Sequence, residues 1–598
     1  MALIQAAIPA PWWTPLTYRH DEALPEGLRV SVPLGRDQRV AMTLTGAAEE
    51  AIDPKRLKAV TEVIDEAPPL PGELWRLIKW FGETWFIGTG FAMRTVLPSK
   101  FFTDENLPPL PEPEQAKKKF SAGDIYCADL SRRYEYYREI VEGEAPSLML
   151  FPEVKLAKAF WDSLPKGLRE EGALWPVSAP AQWKLWKSAR LGERRFIVGS
   201  PGAAFVPLAG LSVIAMDEEN QGGWRSQSHP VVHLRSLLGM RATFAGARFV
   251  LGGAMPSSKG FLRAEPLCGE EKNDGRIIFV SLKEALATEF EALRETLPIS
   301  EPLIRETAEA RRAGKWALWL LDRKGYAGEI LCEECGKTLR CKRCGSSMRW
   351  EESRHTLRCT ACGQREPIPE KCPNCGGLLL TGVRPGLEAL YERAEGALKH
   401  LYKNVLLIQN QEEKMPKAEE LMKEYPGGAL IIGTRRILSL CDELSPAVVG
   451  WIDADAEARS QEYDAKARAY AMLWESMWRG GGSRERKIVV QSRRPGREWQ
   501  DALRRGWRVF WQRELKERRE WELPPFMPMI KITTPAGVAE KITPRLDESE
   551  IEYWISEENN EEIWVRTKRF QQLKNILQPF FDIRATRNGF PTVLLYLD

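Results

Sequence analysis

CEECGKTLRCKRCGSSMRWEESRHTLRCTACGQREPIPEKCPNC, residues 332–375, packs four Cys-x-x-Cys pairs into 44 residues. The pairs are Cys332/Cys335, Cys341/Cys344, Cys359/Cys362 and Cys372/Cys375. Each such pair forms a tight knuckle in which two thiolates grip one tetrahedral ion, and two knuckles close a four-sulfur site. Glycines follow the knuckles at Gly336, Gly345, Gly363 and Gly376, as turns of this kind favour. Eight thiolates imply two Zn2+ ions with no open coordination position, hence a structural role. In a reducing compartment, clustered pairs point to metal before disulfides or redox chemistry. His355 is surplus to the eight, and Cys127, Cys268 and Cys441 read as ordinary buried thiols. Spacing alone leaves open which pairs share an ion.

Working outward, apolar runs of strand length alternate with helical patterns on both sides of the cysteines. A first series comprises Leu148–Phe151, Arg195–Gly199, Leu211–Asp217, Arg248–Gly252 and Ile277–Ser281. A second comprises Trp316–Leu321, Val405–Gln409, Ala429–Gly433, Val448–Asp453 and Lys487–Gln491. Such alternation predicts parallel sheets covered by helices. Two in tandem suggest a two-lobed motor core of RecA type, with the cysteines inserted after the first strand of the second lobe.

The N-terminal region reads as mainly β, with strands Val30–Pro33 and Val40–Leu44 around a turn at Gly35-Arg36. Helices are expected near Lys55–Glu66 and over Glu73–Trp85, where Leu74, Ile78, Phe81 and Trp85 share a face. LPPLPEP at Leu107–Pro113 is a proline-rich linker. In the C-terminal region, Phe570, Leu573, Ile576 and Leu577 share a helical face, and Asn588-Gly589 suggests a hairpin. The expected organisation is an N-terminal domain (1–106), a linker (107–118), a first lobe (119–300), a second lobe (301–525) carrying a zinc insertion (331–378), and a small α+β domain (526–598).

Composition sets bounds. A chain of 598 residues predicts about three to five domains. Lys and Arg number 86 against 83 Asp and Glu, so any phosphate-binding surface must come from local clustering. No apolar stretch reaches the roughly 20 residues of a membrane span, and the start lacks the charged-then-apolar pattern of a secretory signal. A cytoplasmic monomer without membrane association is expected.

The cysteine spacing, its position and a series of motifs together resemble the primosomal protein N′ (PriA) family of bacterial replication-restart DNA helicases. The motifs, in order, are LPEGLRVSVPLGR (Leu24–Arg36), LMLFPEV (Leu148–Val154), VGSPGAAFVPL (Val198–Leu208), MDEEN (Met216–Asn220), LGGAMPS (Leu251–Ser257), IIGTRRI (Ile431–Ile437), WIDAD (Trp451–Asp455) and ELKERREWELPPF (Glu514–Phe526). The resemblance covers almost the whole chain. It implies an N-terminal domain that binds the 3′ end of a nascent strand, with Tyr18, Gly35 and Arg36 as contacts. It also implies ATP-dependent 3′→5′ helicase chemistry with ATP/Mg2+, and primosome and single-strand-binding proteins as partners. For the metal, it implies a nested scheme: Cys332, Cys335, Cys372 and Cys375 on one ion, and Cys341, Cys344, Cys359 and Cys362 on the other.

The departures fall on the ATPase. A phosphate loop uses glycines so that consecutive N–H groups wrap the phosphates, a lysine to neutralise them and a Ser/Thr for magnesium. Tyr126–Arg138 reads YCADLSRRYEYYR, without glycine, and Ser131, Arg132 and Arg133 stand in the degenerate motif. The acidic box retains Asp217 and Glu218 but ends in Asn220 where the family has histidine. The last motor motif reads ESMWRGGG (Glu475–Gly482), in which Arg479 survives and the second arginine is Gly482. Ser439 and Leu440 replace the lysine and glycine that follow GTRRI in the family. Leu16-Thr17 replaces the family's Phe-Asp before Tyr18, which removes the aspartate that reads the terminal base. A winged-helix domain is not expected between the linker and the first lobe.

The expected function is therefore recognition of branched or single-stranded DNA at stalled forks, and promotion of primosome assembly, without helicase activity. An active 3′→5′ helicase and a zinc-dependent scaffold for nucleic acid or protein are the alternatives. Lys342 and Arg343 in a zinc knuckle, with Lys337, Arg340 and Arg349, are candidate phosphate contacts, as are Lys117–Lys119, Arg435/Arg436 and Arg518/Arg519. Trp224 is a candidate base-stacking residue, with core packing as the alternative. With four thiolates per ion, elemental analysis is expected to find about two zinc per chain, falling to about one in the Cys341→Ser/Cys344→Ser double variant.

Overall fold

Alternating buried and half-exposed positions along the first strands build an antiparallel sheet with one inner face. Its strands are β1 (Ala2–Ala7), β2 (Leu16–His20), β3 (Arg29–Leu34), β4 (Asp37–Leu44) and β5 (Glu62–Val63), in the order β2-β1-β4-β3-β5. Ile4, Ala6, Val30, Val32 and Ala41 fill the inner face. The structure, a computed structural model, describes the chain except residues 1, 46–56, 104–106, 112–118, 144, 227, 264–275, 283–298, 322–326, 333, 344, 347, 352–355, 360–361, 379, 399–403, 409–414, 459–461, 482–484, 493–497, 557–558 and 583–588. Two compact units result, one of Met1–Cys127, Ser131–Gly269 and Leu515–Asp598, the other of Ala128–Leu130 and Glu270–Glu514.

The expected helix over Glu73–Trp85 forms as Gly72–Thr84, with Leu74, Ile78 and Phe81 buried. The one expected over Lys55–Glu66 does not form in its described part. From residue 57 onward that segment is extended: Val60 is buried, Thr61 N–H donates to Ser31 O (2.8 Å), and Glu62–Val63 pairs with β3. β-branched Thr61, Val63 and Ile64 suit a strand at the sheet edge better than a helix.

The first lobe carries six strands: β6 (Ser121–Tyr126), β7 (Ser147–Leu150), β8 (Gly172–Leu174), β9 (Phe196–Gly199), β10 (Val213–Met216) and β11 (Arg248–Gly253). All pair in parallel, in the order β6-β11-β10-β7-β9-β8. β7, β9 and β10 are buried at every position, as a sheet covered on both faces requires.

The second unit repeats the pattern with β12 (Ile277–Ser281), β13 (Ala317–Leu320), β19 (Val405–Ile408), β20 (Leu430–Gly433), β21 (Val448–Trp451) and β22 (Lys487–Ser492), ordered β12-β22-β21-β13-β20-β19 and parallel throughout. This corrects one expectation: Ile277–Ser281 pairs with β22, not with the first sheet. Apolar content identifies a buried strand but carries no information about which sheet buries it. Between β13 and β19 the cysteine segment forms its own antiparallel sheet of β14 (Ala327–Cys332), β15 (Met348–Glu351), β16 (Thr356–Cys359), β17 (Arg365–Pro367) and β18 (Leu380–Pro385), ordered β17-β16-β15-β14-β18.

The C-terminal strands β23 (Met529–Thr533), β24 (Glu552–Ile555), β25 (Glu562–Arg566) and β26 (Thr592–Tyr596) form an antiparallel sheet ordered β24-β25-β23-β26. Helices Ala539–Glu548 and Phe570–Leu577 complete a β-α-β-β-α-β unit of the ferredoxin-like kind. Asn588 lies outside the described residues, and the strand after it pairs with the distant β23, so no local hairpin is described there. No helix among the described residues is long and apolar enough to cross a membrane.

The N-terminal domain is tied together by a buried ion pair. Arg29, 1 % exposed, donates to both Asp65 carboxylate oxygens and to Phe101 O (2.8 Å). Asp65→Ala strands that guanidinium in the core, and chemical denaturation is expected to find the protein destabilised by roughly 3–5 kcal/mol.

Candidate nucleotide site and metal centre

In open α/β sheets ligands bind at the C-terminal ends of the strands. In the first lobe those ends are Tyr126 on β6, Met216 on β10 and Gly253 on β11. Tyr126 leads into helix Leu130–Glu142, the strand-to-helix turn where a phosphate loop would sit. Ser131 and Arg132 are exposed on this helix, whereas Arg133 is 3 % exposed. Its guanidinium donates to Cys127 O (2.5 Å) and to Glu218 Oε1 (2.6 Å), and its Nε lies 3.1 Å from Asp217 Oδ1. Tyr137, one turn further along, donates its hydroxyl to the same Asp217 oxygen (2.7 Å). Burial works against the Arg133 charge, but Asp217 and Glu218 outweigh it and raise the arginine's pKa above its ordinary value. Burial first, then the charge of Asp217, raises the Tyr137 hydroxyl well above its usual pKa.

Glu219, not singled out in the sequence, is fully buried next to this pair. It accepts from the Tyr126 hydroxyl (3.0 Å) and Ser257 N–H (2.7 Å) and pairs with Arg235. Arg235 also pairs with Asp598, whose carboxylate accepts from the Ser258 hydroxyl and the Lys259 N–H. Two glycines make room for the tyrosines. A Cβ on Gly252 would lie 1.8 Å from the Tyr137 hydroxyl, and one on Gly260 would lie 2.4 Å from that of Tyr126. Each carboxylate of the acidic box is therefore engaged by an arginine, Arg133 or Arg235, and aromatic side chains pack the strand ends.

Tyr137 sits four residues after Arg133 on one helix face, a spacing that marks neighbours. That spacing and the paired glycines of LGGAM were the available signals, but neither names Asp217 as the shared partner.

In the second unit, surviving Arg479 is also engaged within its own lobe. It bridges Asp442 (3.1 Å at Nε and at a terminal nitrogen) and Glu475 (2.6 Å), and is 9 % exposed. Gly482 lies outside the described residues.

Trp224 requires a correction. It is 0 % exposed and donates its indole N–H to Asp217 O (3.1 Å) and Glu218 O (3.0 Å). No ring face is available for a base; this tryptophan braces the backbone of the acidic box.

In the N-terminal domain Tyr18 is buried and its hydroxyl donates to Pro33 O (3.2 Å). Gly35, with φ of +64°, and Arg36 form the exposed β3–β4 turn, and Lys58, which sequence reasoning missed, donates to Gly35 O (3.2 Å). These residues lie close together.

The cysteines form four similar knuckles. Gly336, Gly345 and Gly376 each donate an N–H to the first cysteine of their knuckle (2.8 Å), and all four following glycines have φ between +69° and +76°. Left-handed backbone of this kind is open to glycine at little cost. Cys332, Cys335, Cys372 and Cys375 bring their sulfurs within 4.8 Å of one another, and so do Cys341, Cys359 and Cys362. Cys344 lies outside the described residues. The grouping follows the nested scheme for every described cysteine. Sulfur-only sets of this geometry fit a soft tetrahedral metal ion. Lys342 and Arg343 are exposed within the second knuckle. His355, Lys117 and Lys118 lie outside the described residues, as does Cys268.

Removing Arg133 leaves two carboxylates uncompensated in the lobe. Arg133→Ala is expected to cost roughly 3–5 kcal/mol in chemical denaturation, with secondary structure retained below the transition.

Residues 5–98 match the family model of the PriA 3′DNA-binding domain. Curated relatives named "Replication restart protein PriA" include those of Bacillus subtilis, 23 % identical over 60 % of this chain and 45 % of the relative, and Treponema pallidum, 26 % identical over 58 % and 54 %. The Rickettsia felis protein of the same name is 25 % identical over 88 % of this chain and 86 % of its own. The chain thus spans about half the length of the first two relatives and most of the third. Among solved structures, RecG bound to a three-way DNA junction is similar over 75 % of this chain and 53 % of that one, at 11 % identity and a TM-score of 0.36. Yeast Dbp5 bound to RNA and ADP BeF3 is similar over 74 % and 91 %, at 12 % identity and a TM-score of 0.33. Residues 5–98 thus carry the match to the PriA 3′DNA-binding domain, and the longer chain, with its parallel-sheet lobes and cysteine insertion, is similar to replication restart proteins named PriA.

Proposed function

We propose that this protein recognises branched or single-stranded DNA at stalled replication forks and promotes primosome assembly without hydrolysing ATP. One observation carries the second half: Arg133 is paired with both Asp217 and Glu218 from inside the lobe. Phosphoryl transfer depends on positioned positive charge around the phosphates and on carboxylates free to hold magnesium. Here the carboxylates are engaged, the glycine-free turn offers no cradle, and Arg479 is held by Asp442 and Glu475.

The match to the 3′DNA-binding domain and the relatives' names support the first half. Gly35, Arg36 and Lys58 form the proposed contact region for a DNA end, with Tyr18 buried beneath it and without the aspartate the family uses there. Two Zn2+ ions, one on each sulfur group with Cys344 completing the second, stiffen the insertion and present Lys342 and Arg343 to phosphates. Primosome and single-strand-binding proteins are the proposed partners of a cytoplasmic monomer built from the five regions set out above, with Ile277–Ser281 belonging to the second lobe.

The test is ATP turnover by the zinc-loaded protein, with and without forked DNA, beside fork affinity in the same buffer. Turnover near background, with fork binding unchanged by nucleotide, is expected. DNA-stimulated turnover abolished by Asp217→Ala would overturn the ATP-independent reading, and absent fork binding at physiological salt would overturn the DNA reading.

A further inference from the structure

Donors from two separate stretches of the first lobe converge on a carboxylate that comes from outside it. Arg235, at the start of helix Leu234–Ala245, is 5 % exposed and spreads its guanidinium between two acids. One terminal nitrogen pairs with Glu219, the other with an oxygen of Asp598. The second Asp598 oxygen accepts from the Ser258 hydroxyl and from the Lys259 N–H (3.3 Å). Ser258 and Lys259 open helix Ser258–Arg263, shortly after β11, whereas Asp598 lies two residues beyond β26 of the C-terminal sheet. Both oxygens of one carboxylate are thus engaged, by a charged fork, a hydroxyl and a backbone N–H. Such a donor set suits a planar anion.

Contacts that do not involve Asp598 hold these donors in place. His233 Nδ1 accepts from the Arg235 N–H (3.3 Å) and fixes the start of its helix, while Glu219 holds the other side of the guanidinium. Ser257 donates its N–H to Glu219 (2.7 Å), and its hydroxyl accepts from the Gly260 N–H (3.1 Å), which sets the turn carrying Ser258 and Lys259. Positive charge gathers around Arg235. Burial, then the charge of Arg235, brings the Lys259 pKa down to about 8. Burial, followed by Arg235, Arg225 and Lys259, holds His233 well below its ordinary value, so its ring adds no further charge. Ser258 is 2 % exposed, but the Asp598 side chain is 25 % exposed. The donors are dry, and the acid closes the side that solvent reaches.

We propose that Arg235, Ser258 and Lys259 form a carboxylate-binding site of the first lobe, that its resident ligand is the Asp598 side chain, and that this seating latches the C-terminal sheet to the segment following the acidic box. Taking Asp598 away removes the acceptor of a buried hydroxyl and an N–H, and it removes one of the two acids that answer a buried guanidinium. Dry donors deprived of their anion are costly, so the empty seat takes up a free carboxylate of matching size. Arg225, 5.8 Å from the Tyr596 ring centroid, is a second tie between the same two segments. The latch therefore protects both segments from local opening.

Asp598→Ala deletes a carboxylate the size of formate. Hydrogen exchange of the full chain, followed by mass spectrometry, is expected to quicken about tenfold in β26 and at the start of helix Leu234–Ala245 in this variant. Sodium formate at roughly 100 mM, compared with sodium chloride at the same concentration, is expected to slow that exchange again and to restore at least part of the lost melting temperature. Wild type, whose seat is filled, is expected to respond alike to the two salts. Asp598→Asn keeps the side chain's shape without its charge; it is expected to show the faster exchange but no formate rescue, because the amide still occupies the seat. Unchanged exchange in both variants would overturn the latch. A response of Asp598→Ala to formate no greater than that of wild type would overturn the carboxylate site. Both readouts are made without DNA or nucleotide, so either failure leaves the proposed function standing.

Discussion

The ion pair between Arg133 and the Asp217–Glu218 carboxylates governs how the first lobe is built. Two carboxylates at the end of a buried strand repel each other and cannot be left dry. In a working nucleotide site, magnesium and a phosphate-loop lysine provide the compensating charge. Here a single guanidinium from the helix after β6 engages both groups and offsets part of their charge, with one hydrogen bond back to Cys127 O to hold its direction. Tyr137 and Trp224 then close the site, one on the Asp217 side chain and the other on the backbone of both acidic residues. Because Tyr137 needs Gly252 and Tyr126 needs Gly260, the arrangement extends into the motif after β11.

The same economy recurs elsewhere. Arg479 is answered by Asp442 and Glu475, Arg235 by Glu219 and Asp598, and Arg29 by Asp65. These buried arginines serve as struts, each tied to one or more carboxylates. Ligand-facing charge therefore lies on exposed surfaces, at the β3–β4 turn and the zinc knuckles.

How much of this was legible in the sequence depended on range. The cysteine knuckles are local, their ligands two or three residues apart, so their existence and turn geometry could be read directly. The division of sulfurs between two sites spans some 40 residues of chain and needed the structure, which groups Cys332 and Cys335 with Cys372 and Cys375. The missing glycines of Tyr126–Arg138 were equally plain, but not that Arg133 turns inward while Arg132 faces solvent. That difference depends on Asp217, some 80 residues away. Trp224 stayed undecided between stacking and core packing for a related reason, since a tryptophan after an acidic box looks the same on paper whether it meets a base or two backbone carbonyls. Ile277–Ser281 was identified as a buried strand and assigned to the wrong sheet, because composition reports burial and not neighbours. The segment after Leu57 shows the limit of weak periodicity, as β-branched residues and an available sheet edge overrode a marginal helical pattern.

The account stands or falls on whether the first lobe takes up nucleotide. Isothermal titration calorimetry of the zinc-loaded protein with ATP and magnesium measures that directly, without relying on turnover or on DNA. With Arg133 seated on both carboxylates, no saturable binding is expected at millimolar nucleotide, a level corresponding to less than about 4 kcal/mol of binding free energy. Saturable binding in the micromolar range, lost in Asp217→Ala, would mean that Arg133 yields its place to the metal and phosphates, and would contradict the account.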